Sequence, residues 1–104
     1  VTPAECYRRR TVRRRGRRRA RTVYSVNPNI RRLRDVIVKY GRDNNIAVYD
    51  WYNVAGGAGS AAKWLADHNL GRDRIHLTAA GYRLQGQLTA DALIRSLSPH
   101  SSHD

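Results

Sequence analysis

An arginine-rich run near the beginning of the sequence limits most strongly how this chain can fold. The fourteen positions 8–21 hold ten arginines and no acidic residue. Guanidinium groups at this density repel one another, and the few apolar residues among them cannot bury enough surface to order the segment. We therefore expect a mobile, Arg-rich surface loop over residues 7–22. The arginines are Arg8, Arg9, Arg10, Arg13, Arg14, Arg15, Arg17, Arg18, Arg19 and Arg21.

The charge of the 104-residue chain is concentrated in this run. The formal net charge is +12, from 20 Lys and Arg against 8 Asp and Glu, and the sequence outside the run is close to neutral. One reading is a polyanion- or RNA-binding element, because arginine forms bidentate bonds to phosphate and releases counterions from nucleic acid. The other is a solvated basic insertion that binds polyanions nonspecifically. An intermediate reading is that the run draws an enzyme to an anionic polymer such as a glycan.

A second feature is a carboxylate placed three residues before an imidazole. Asp73 and His76 lie just ahead of Thr78, which can cap a helix. In serine hydrolases a histidine takes the proton of the nucleophile, and an aspartate fixes the tautomer of that histidine and stabilises the imidazolium. The pair is therefore a candidate catalytic dyad. The alternative is that Asp73 bonds to its own backbone in a turn and that His76 caps or packs against the helix start.

The residues around this pair carry a resemblance to a known family. The sequence DRIHLTAAGY at 73–82 resembles the last conserved block of the SGNH (GDSL-type) esterases and acylhydrolases. Upstream, VYDWY at 48–52, the glycine-rich AGGAGS at 55–60 and the following tryptophan are similar to the segment before that block in bacterial members. The opening VTP resembles the end of the preceding strand. The resemblance is specific over residues 46–97.

The resemblance implies an esterase in which Asp73 and His76 are catalytic. The substrate implied is an acyl ester, for example on an acetylated glycan, and an extracytoplasmic location is compatible with it. Gly56 and Gly57 could bring the backbone close to a substrate or simply form a tight loop, and Trp64 is a pocket wall or a core residue. No spacing of Cys, His and carboxylates predicts a metal site, and no cofactor is expected.

The sequence also departs from the family. Those enzymes carry their nucleophilic serine in a Gly-Asp-Ser block near the N-terminus, and their oxyanion hole uses that serine, a glycine and an asparagine from further blocks. None of these blocks occurs here, and no serine follows Gly-Asp. Ser60 lacks the Gly-x-Ser-x-Gly elbow. We therefore expect a C-terminal part of a longer enzyme that needs the missing N-terminal half of the same domain, and no ester hydrolysis by this chain alone.

Periodicity predicts the order of elements. Asn27 and Pro28 are suited to begin a helix over 28–43, with apolar residues every three or four positions. The run 46–51 predicts a buried strand. Ser60 can cap a short helix through about His68.

Thr78 can cap a last helix over about 79–97. These elements predict a βαβα unit of an α/β sheet over residues 1–97. The resemblance implies that this unit is the C-terminal portion of a partial three-layer open parallel sheet, the flavodoxin-like α/β fold of SGNH hydrolases. The tail 98–104 is polar and expected to fray. No apolar run approaches the roughly 18 residues that a membrane span needs.

Overall fold

The architecture is a basic β-hairpin followed by four helices. The computed structural model describes residues 1–13, 15–16 and 18–97. The elements, in chain order, are β1 (Tyr7–Val12), β2 (Arg21–Val26), α1 (Pro28–Asp43), α2 (Trp51–Val54), α3 (Ser60–Ala66) and α4 (Ala79–Leu97). Within the described residues the sheet consists of β1 and β2 alone, paired antiparallel. The predicted three-layer α/β fold with a parallel sheet is therefore wrong.

The arginine-rich segment forms a hairpin, so the prediction of a mobile loop over 7–22 is also wrong. The ladder runs from Tyr7 opposite Val26 to Val12 opposite Arg21. Side chains alternate between the two faces of a strand, which separates neighbouring guanidinium groups and weakens their repulsion. The returning strand RTVYSV is rich in β-branched and aromatic residues that suit a pleated surface. Arg14 and Arg17 lie outside the described residues.

The two segments expected to form parallel strands stay irregular. Residues 1–6 and 46–50 have no regular secondary structure. They meet through the Thr2 amide, which donates to the Tyr49 carbonyl at 3.0 Å. A parallel strand needs a repeated ladder of such bonds, and one bond does not provide it. The apolar segment instead turns into α2, where Trp51 and Tyr52 are buried.

Helix α1 and its boundaries were predicted from the sequence. The Asn27 side chain accepts a hydrogen bond from the amide of Asn29 at 3.0 Å, and Pro28 occupies the first helical position. Lys39 and Asp43, one turn apart, form an ion pair of 2.5 Å on the exposed surface. The apolar residues that recur every three or four positions along α1 are only partly buried.

A small core joins the N-terminal segment to α2 and α3. The Thr2 hydroxyl donates to Asp50 Oδ1 at 2.9 Å and accepts from the Tyr52 amide at 2.9 Å, and Thr2 is only 1% exposed. The carboxylate of Asp50 is also bound by the Arg34 guanidinium through both oxygens. Trp51 packs edge-on against Trp64, with ring centroids 5.6 Å apart. Asp50 is therefore a structural ion-pair residue.

The fold leaves much apolar surface uncovered. The radius of gyration is 17.4 Å, whereas a compact domain of this size has about 13 Å. On α1, Leu33 is 49% and Tyr40 is 62% exposed, and Val36 lies between them. On α4, Leu93 and Ile94 are exposed as well. None of the described helices is both long enough and apolar enough to cross a bilayer.

Candidate active site

The loop between α3 and α4 is closed by backbone hydrogen bonds at its two ends. Leu70 and Leu77 form an antiparallel bridge. The Gly71 amide donates to the His76 carbonyl at 2.7 Å, and the Thr78 amide donates to the Asn69 carbonyl at 3.0 Å. These bonds hold residues 71–76 as a fixed turn beside the first residue of α4.

Thr78 caps α4, as predicted. Its hydroxyl accepts a hydrogen bond from the Gly81 amide at 3.1 Å and donates to the His68 carbonyl at 2.7 Å. Any Cβ at Gly81 would overlap the Asn69 carbonyl. A glycine at this position therefore lets the loop lie directly against the first turn of the helix. Because the Thr78 hydroxyl accepts the hydrogen bond from the first turn of α4, Thr78 and not His76 is the capping residue.

Asp73 binds both the backbone of its own turn and the His76 ring. Its Oδ1 accepts hydrogen bonds from the amides of Ile75 and His76, each at 2.9 Å. Its Oδ2 lies 2.6 Å from His76 Nδ1. The two alternatives for Asp73, turn residue and partner of His76, are therefore both true. The bond from the imidazole, followed by the two amides, lowers the pKa of Asp73 to about 2.

The geometry leaves one ring nitrogen of His76 free to act as a base. An ionised carboxylate can only accept, so a neutral imidazole bound to it donates from Nδ1 and keeps its lone pair on Nε2. The His76 side chain is 74% exposed, which argues against a packing role. Within the described residues, Asp73 is the one side chain hydrogen-bonded to this ring. A nucleophile arriving from solvent could therefore meet Nε2.

The predicted substrate-binding residues lie in α3 and in the turn that precedes it. Gly56 and Gly57 both have positive φ, and their amides donate to the carbonyls of Asn53 and Tyr52. Trp64 donates from its indole nitrogen to the Ala55 carbonyl at 2.9 Å. These contacts explain the residues as a tight turn and its packing partner. The prediction that they bind substrate remains a prediction.

Ser60 is a helix residue and not a cap, which corrects the expected start of α3. Gly59, with a φ of +88°, occupies the cap position, and the helix ends at Ala66 rather than near His68. The carboxylate of Glu5 replaces the expected cap by accepting from the amides of Gly59 and Ala61 at 3.0 and 3.1 Å. Glu5 was missed because it lies more than fifty positions away in sequence. Ser60 itself is only 7% exposed.

Arg74 links the loop that carries Asp73 and His76, the dyad loop, to the hairpin. This role was not predicted from the sequence. The Arg74 carbonyl accepts the Tyr7 amide at 3.0 Å. Its guanidinium carbon lies 5.4 Å from the Tyr7 ring centroid and 4.2 Å from that of Tyr24. Arg74 also has a φ of +58°, a conformation that few non-glycine residues adopt. No local pattern signals these contacts, since they join residues about fifty to seventy positions apart.

The hairpin arginines project into solvent beside this loop. Those that the structure describes are all exposed: Arg8, Arg9, Arg10, Arg13, Arg15, Arg18, Arg19 and Arg21.

Among the described residues, no group of three His, Cys, Asp or Glu side chains is arranged to hold a metal ion. Comparisons with protein families, with curated proteins and with solved structures find no match to this chain.

Proposed function

We propose that this chain supplies the aspartate and histidine of a serine ester hydrolase site. The observation that carries the proposal is the 2.6 Å contact between Asp73 Oδ2 and His76 Nδ1 on a ring that is otherwise exposed. In this arrangement the aspartate orients the imidazole and stabilises its protonated form, and Nε2 acts as the general base. The resemblance of residues 73–82 to the SGNH esterases supports the same chemistry.

The proposed reaction is an acyl transfer in two steps. His76 Nε2 takes the proton of a serine hydroxyl while the serine oxygen attacks the ester carbonyl. The imidazolium then gives its proton to the departing alcohol, which leaves an acyl-enzyme. Water loses a proton to the same nitrogen and attacks the acyl carbon, and the proton returns to the serine as the acid departs. Asp73 remains ionised throughout, consistent with its lowered pKa.

The serine in this proposal comes from protein outside these 104 residues. Ser60 is buried in the first turn of α3, whereas the His76 side chain is 74% exposed. The uncovered apolar side chains of Leu33, Val36 and Tyr40 on α1 and the large radius of gyration support a need for further protein against this unit. The family resemblance favours the N-terminal half of the same domain as that protein.

The substrate class follows from the resemblance and remains part of the proposal. The proposed substrate is an acetyl ester on a carbohydrate hydroxyl, because an extended substrate can reach the exposed imidazole of His76.

The competing proposal is a polyanion- or RNA-binding module, and the observation that favours it is an ordered hairpin with exposed arginines on both faces. The two proposals differ in whether a serine is activated.

Labelling of the activated serine tests the esterase proposal directly. The natural protein that contains this chain is treated with a fluorophosphonate, which reacts with activated serines, and the labelled residue is mapped by mass spectrometry. We expect a serine outside residues 1–104 to be labelled, and His76→Ala to abolish the labelling. Arg83→Ala, an exposed change on the first turns of α4, is the matched control and should label normally. Labelling of Ser60, or labelling that persists in His76→Ala, would overturn the proposal.

A further inference from the structure

A single peptide group joins the hairpin to the carboxylate of Asp73. On one side of it, the carbonyl of Arg74 accepts the Tyr7 amide of β1 at 3.0 Å. On the other side, the amide of Ile75 donates to Asp73 Oδ1 at 2.9 Å. This carbonyl and this amide belong to the same planar group, in which C=O and N–H point in opposite directions. Tyr7 therefore holds one end of the group and Asp73 holds the other.

The chain of hydrogen bonds continues from the carboxylate to the imidazole. Asp73 Oδ1 also accepts the His76 amide at 2.9 Å, so that two amides fix the plane of the carboxylate. The other oxygen, Oδ2, lies 2.6 Å from His76 Nδ1. Rotation of the peptide group between Arg74 and Ile75 would turn one of the two amides away from Oδ1. The carboxylate would then be freer to change its angle to the ring.

The backbone of Arg74 sets the direction of this peptide group. Its φ of +58° lies in the left-handed region, which few non-glycine residues adopt. Strained backbone of this kind occurs at functional sites and persists where the surrounding contacts over-determine it. The Arg74 amide donates to the Gly71 carbonyl at 2.9 Å, and the guanidinium lies over the rings of Tyr7 and Tyr24. Both the backbone and the side chain of Arg74 are therefore held.

We propose that Arg74 is a positioning residue of the dyad, held by the hairpin so that its peptide group sets the angle between the Asp73 carboxylate and the His76 ring. The inference rests on the proposed function for the reaction and adds a residue that acts through Asp73. Errors of roughly 1 Å in the placement of reacting groups can cost about a hundredfold in rate. A residue that orients the aspartate is therefore expected to affect turnover.

Alanine and glycine at position 74 separate the backbone conformation from the loss of the side chain. Both remove the guanidinium, but glycine adopts a positive φ without the steric cost that alanine has. In the natural protein, Arg74→Ala should lower kcat for p-nitrophenyl acetate about tenfold to hundredfold with little change in KM. Arg74→Gly should recover most of this loss. Arg72→Ala removes an exposed arginine of the same loop and is the matched control, which should keep the unaltered rate.

The titration of Asp73 provides a readout that does not depend on activity. The bond from the His76 ring, followed by the amides of Ile75 and His76, lowers the pKa of Asp73 to about 2. Loss of the Ile75 bond should raise the midpoint that carboxyl ¹³C NMR measures, because a hydrogen bond to the ionised form lowers a pKa. The midpoint should therefore be higher in Arg74→Ala than in Arg74→Gly or Arg72→Ala.

Proline and leucine at position 7 test the hairpin end of the chain of hydrogen bonds. Both remove the Tyr7 ring, but only proline also removes the amide that donates to Arg74. Proline is tolerated at the first residue of a strand, the position that Tyr7 has in β1. Tyr7→Pro should therefore raise the Asp73 midpoint more than Tyr7→Leu does.

The comparisons within each pair of variants decide the inference. Equal kcat values or equal Asp73 midpoints in Arg74→Ala and Arg74→Gly would overturn it, and so would equal Asp73 midpoints in Tyr7→Pro and Tyr7→Leu. If the unaltered natural protein hydrolyses no ester, the proposed function is wrong. The Asp73 midpoints alone then decide whether Arg74 orients the carboxylate.

Discussion

The guanidinium of Arg74 lies over the ring of Tyr24, with its central carbon 4.2 Å from the ring centroid. These residues are fifty positions apart, one on the returning strand of the hairpin and one between Asp73 and His76. Arg74 has a φ of +58°. Its side chain joins the loop that carries Asp73 and His76 to the hairpin.

Loss of the Tyr24 ring should loosen this connection. We expect Tyr24→Leu to lower the free energy of unfolding by about 0.5–1 kcal/mol, the usual contribution of an exposed cation–π contact. Tyr24→Phe keeps the ring and should be close to neutral. Chemical denaturation measures the difference, and hydrogen exchange at the Tyr7 amide reports the local effect. If Leu and Phe behave alike, the ring of Tyr24 does not hold Arg74.

Asp73→Asn should lower the turnover of the natural protein strongly while leaving the fold intact. An asparagine amide can donate to the imidazole and favour the wrong tautomer, an effect that reaches roughly 10⁴-fold in a well-studied serine protease. His76→Ala should abolish turnover. The measurement is the kcat for p-nitrophenyl acetate, with circular dichroism as the control for folding. Wild-type rates in both variants would show that the dyad is not catalytic.

The carboxyl of Asp73 should titrate well below other aspartates. The hydrogen bonds from His76 and from the amides lower its folded pKa to about 2, against about 3.9 for an unfolded chain. The ionised group therefore stabilises the loop above the unfolded pKa, and this contribution is lost as the pH falls from about 4 through 2. Carboxyl ¹³C NMR measures the titration, and His76→Ala should raise the midpoint. An unchanged midpoint in that variant would mean that the imidazole is not the main cause.

Two glycines of α4 should respond oppositely to the same substitution. Gly81→Ala should destabilise the chain by about 1–3 kcal/mol, because its Cβ overlaps the Asn69 carbonyl and overpacking costs that much. Gly86→Ala has open space around the new Cβ and should stabilise the helix by roughly 0.5–1 kcal/mol. Thermal unfolding compares the two variants with the unaltered chain. Similar effects in both would contradict the close approach of the loop to α4.

The hairpin should bind duplex DNA through charge alone. Each phosphate neutralised adds roughly 0.9 to the slope of log affinity against log salt concentration. Duplex DNA contacts only charge, so Arg8→Gln/Arg9→Gln and Arg18→Gln/Arg19→Gln should reduce this slope by similar amounts. Fluorescence anisotropy at several salt concentrations measures it for two unrelated sequences. A strong preference for one sequence would indicate base recognition instead.

Local signals in the sequence determined helices α1 and α4 and the contact between Asp73 and His76. Asn27 and Pro28 begin α1, and Thr78 begins α4, because caps depend on side chains only two or three residues from the amides they bind. The Asp–His contact could be predicted for the same reason, since Asp73 and His76 are three positions apart on one turn.

Tertiary structure decided the sheet and the surroundings of the site. Strand formation depends on a partner, so residues 46–50 remained irregular where no ladder formed, and the arginine-rich run was ordered by pairing with β2. The cap of α3 came from Glu5, and the contact of Arg74 with the hairpin came from Tyr24. These contacts join residues separated by about fifty positions, and only the folded chain brings them together.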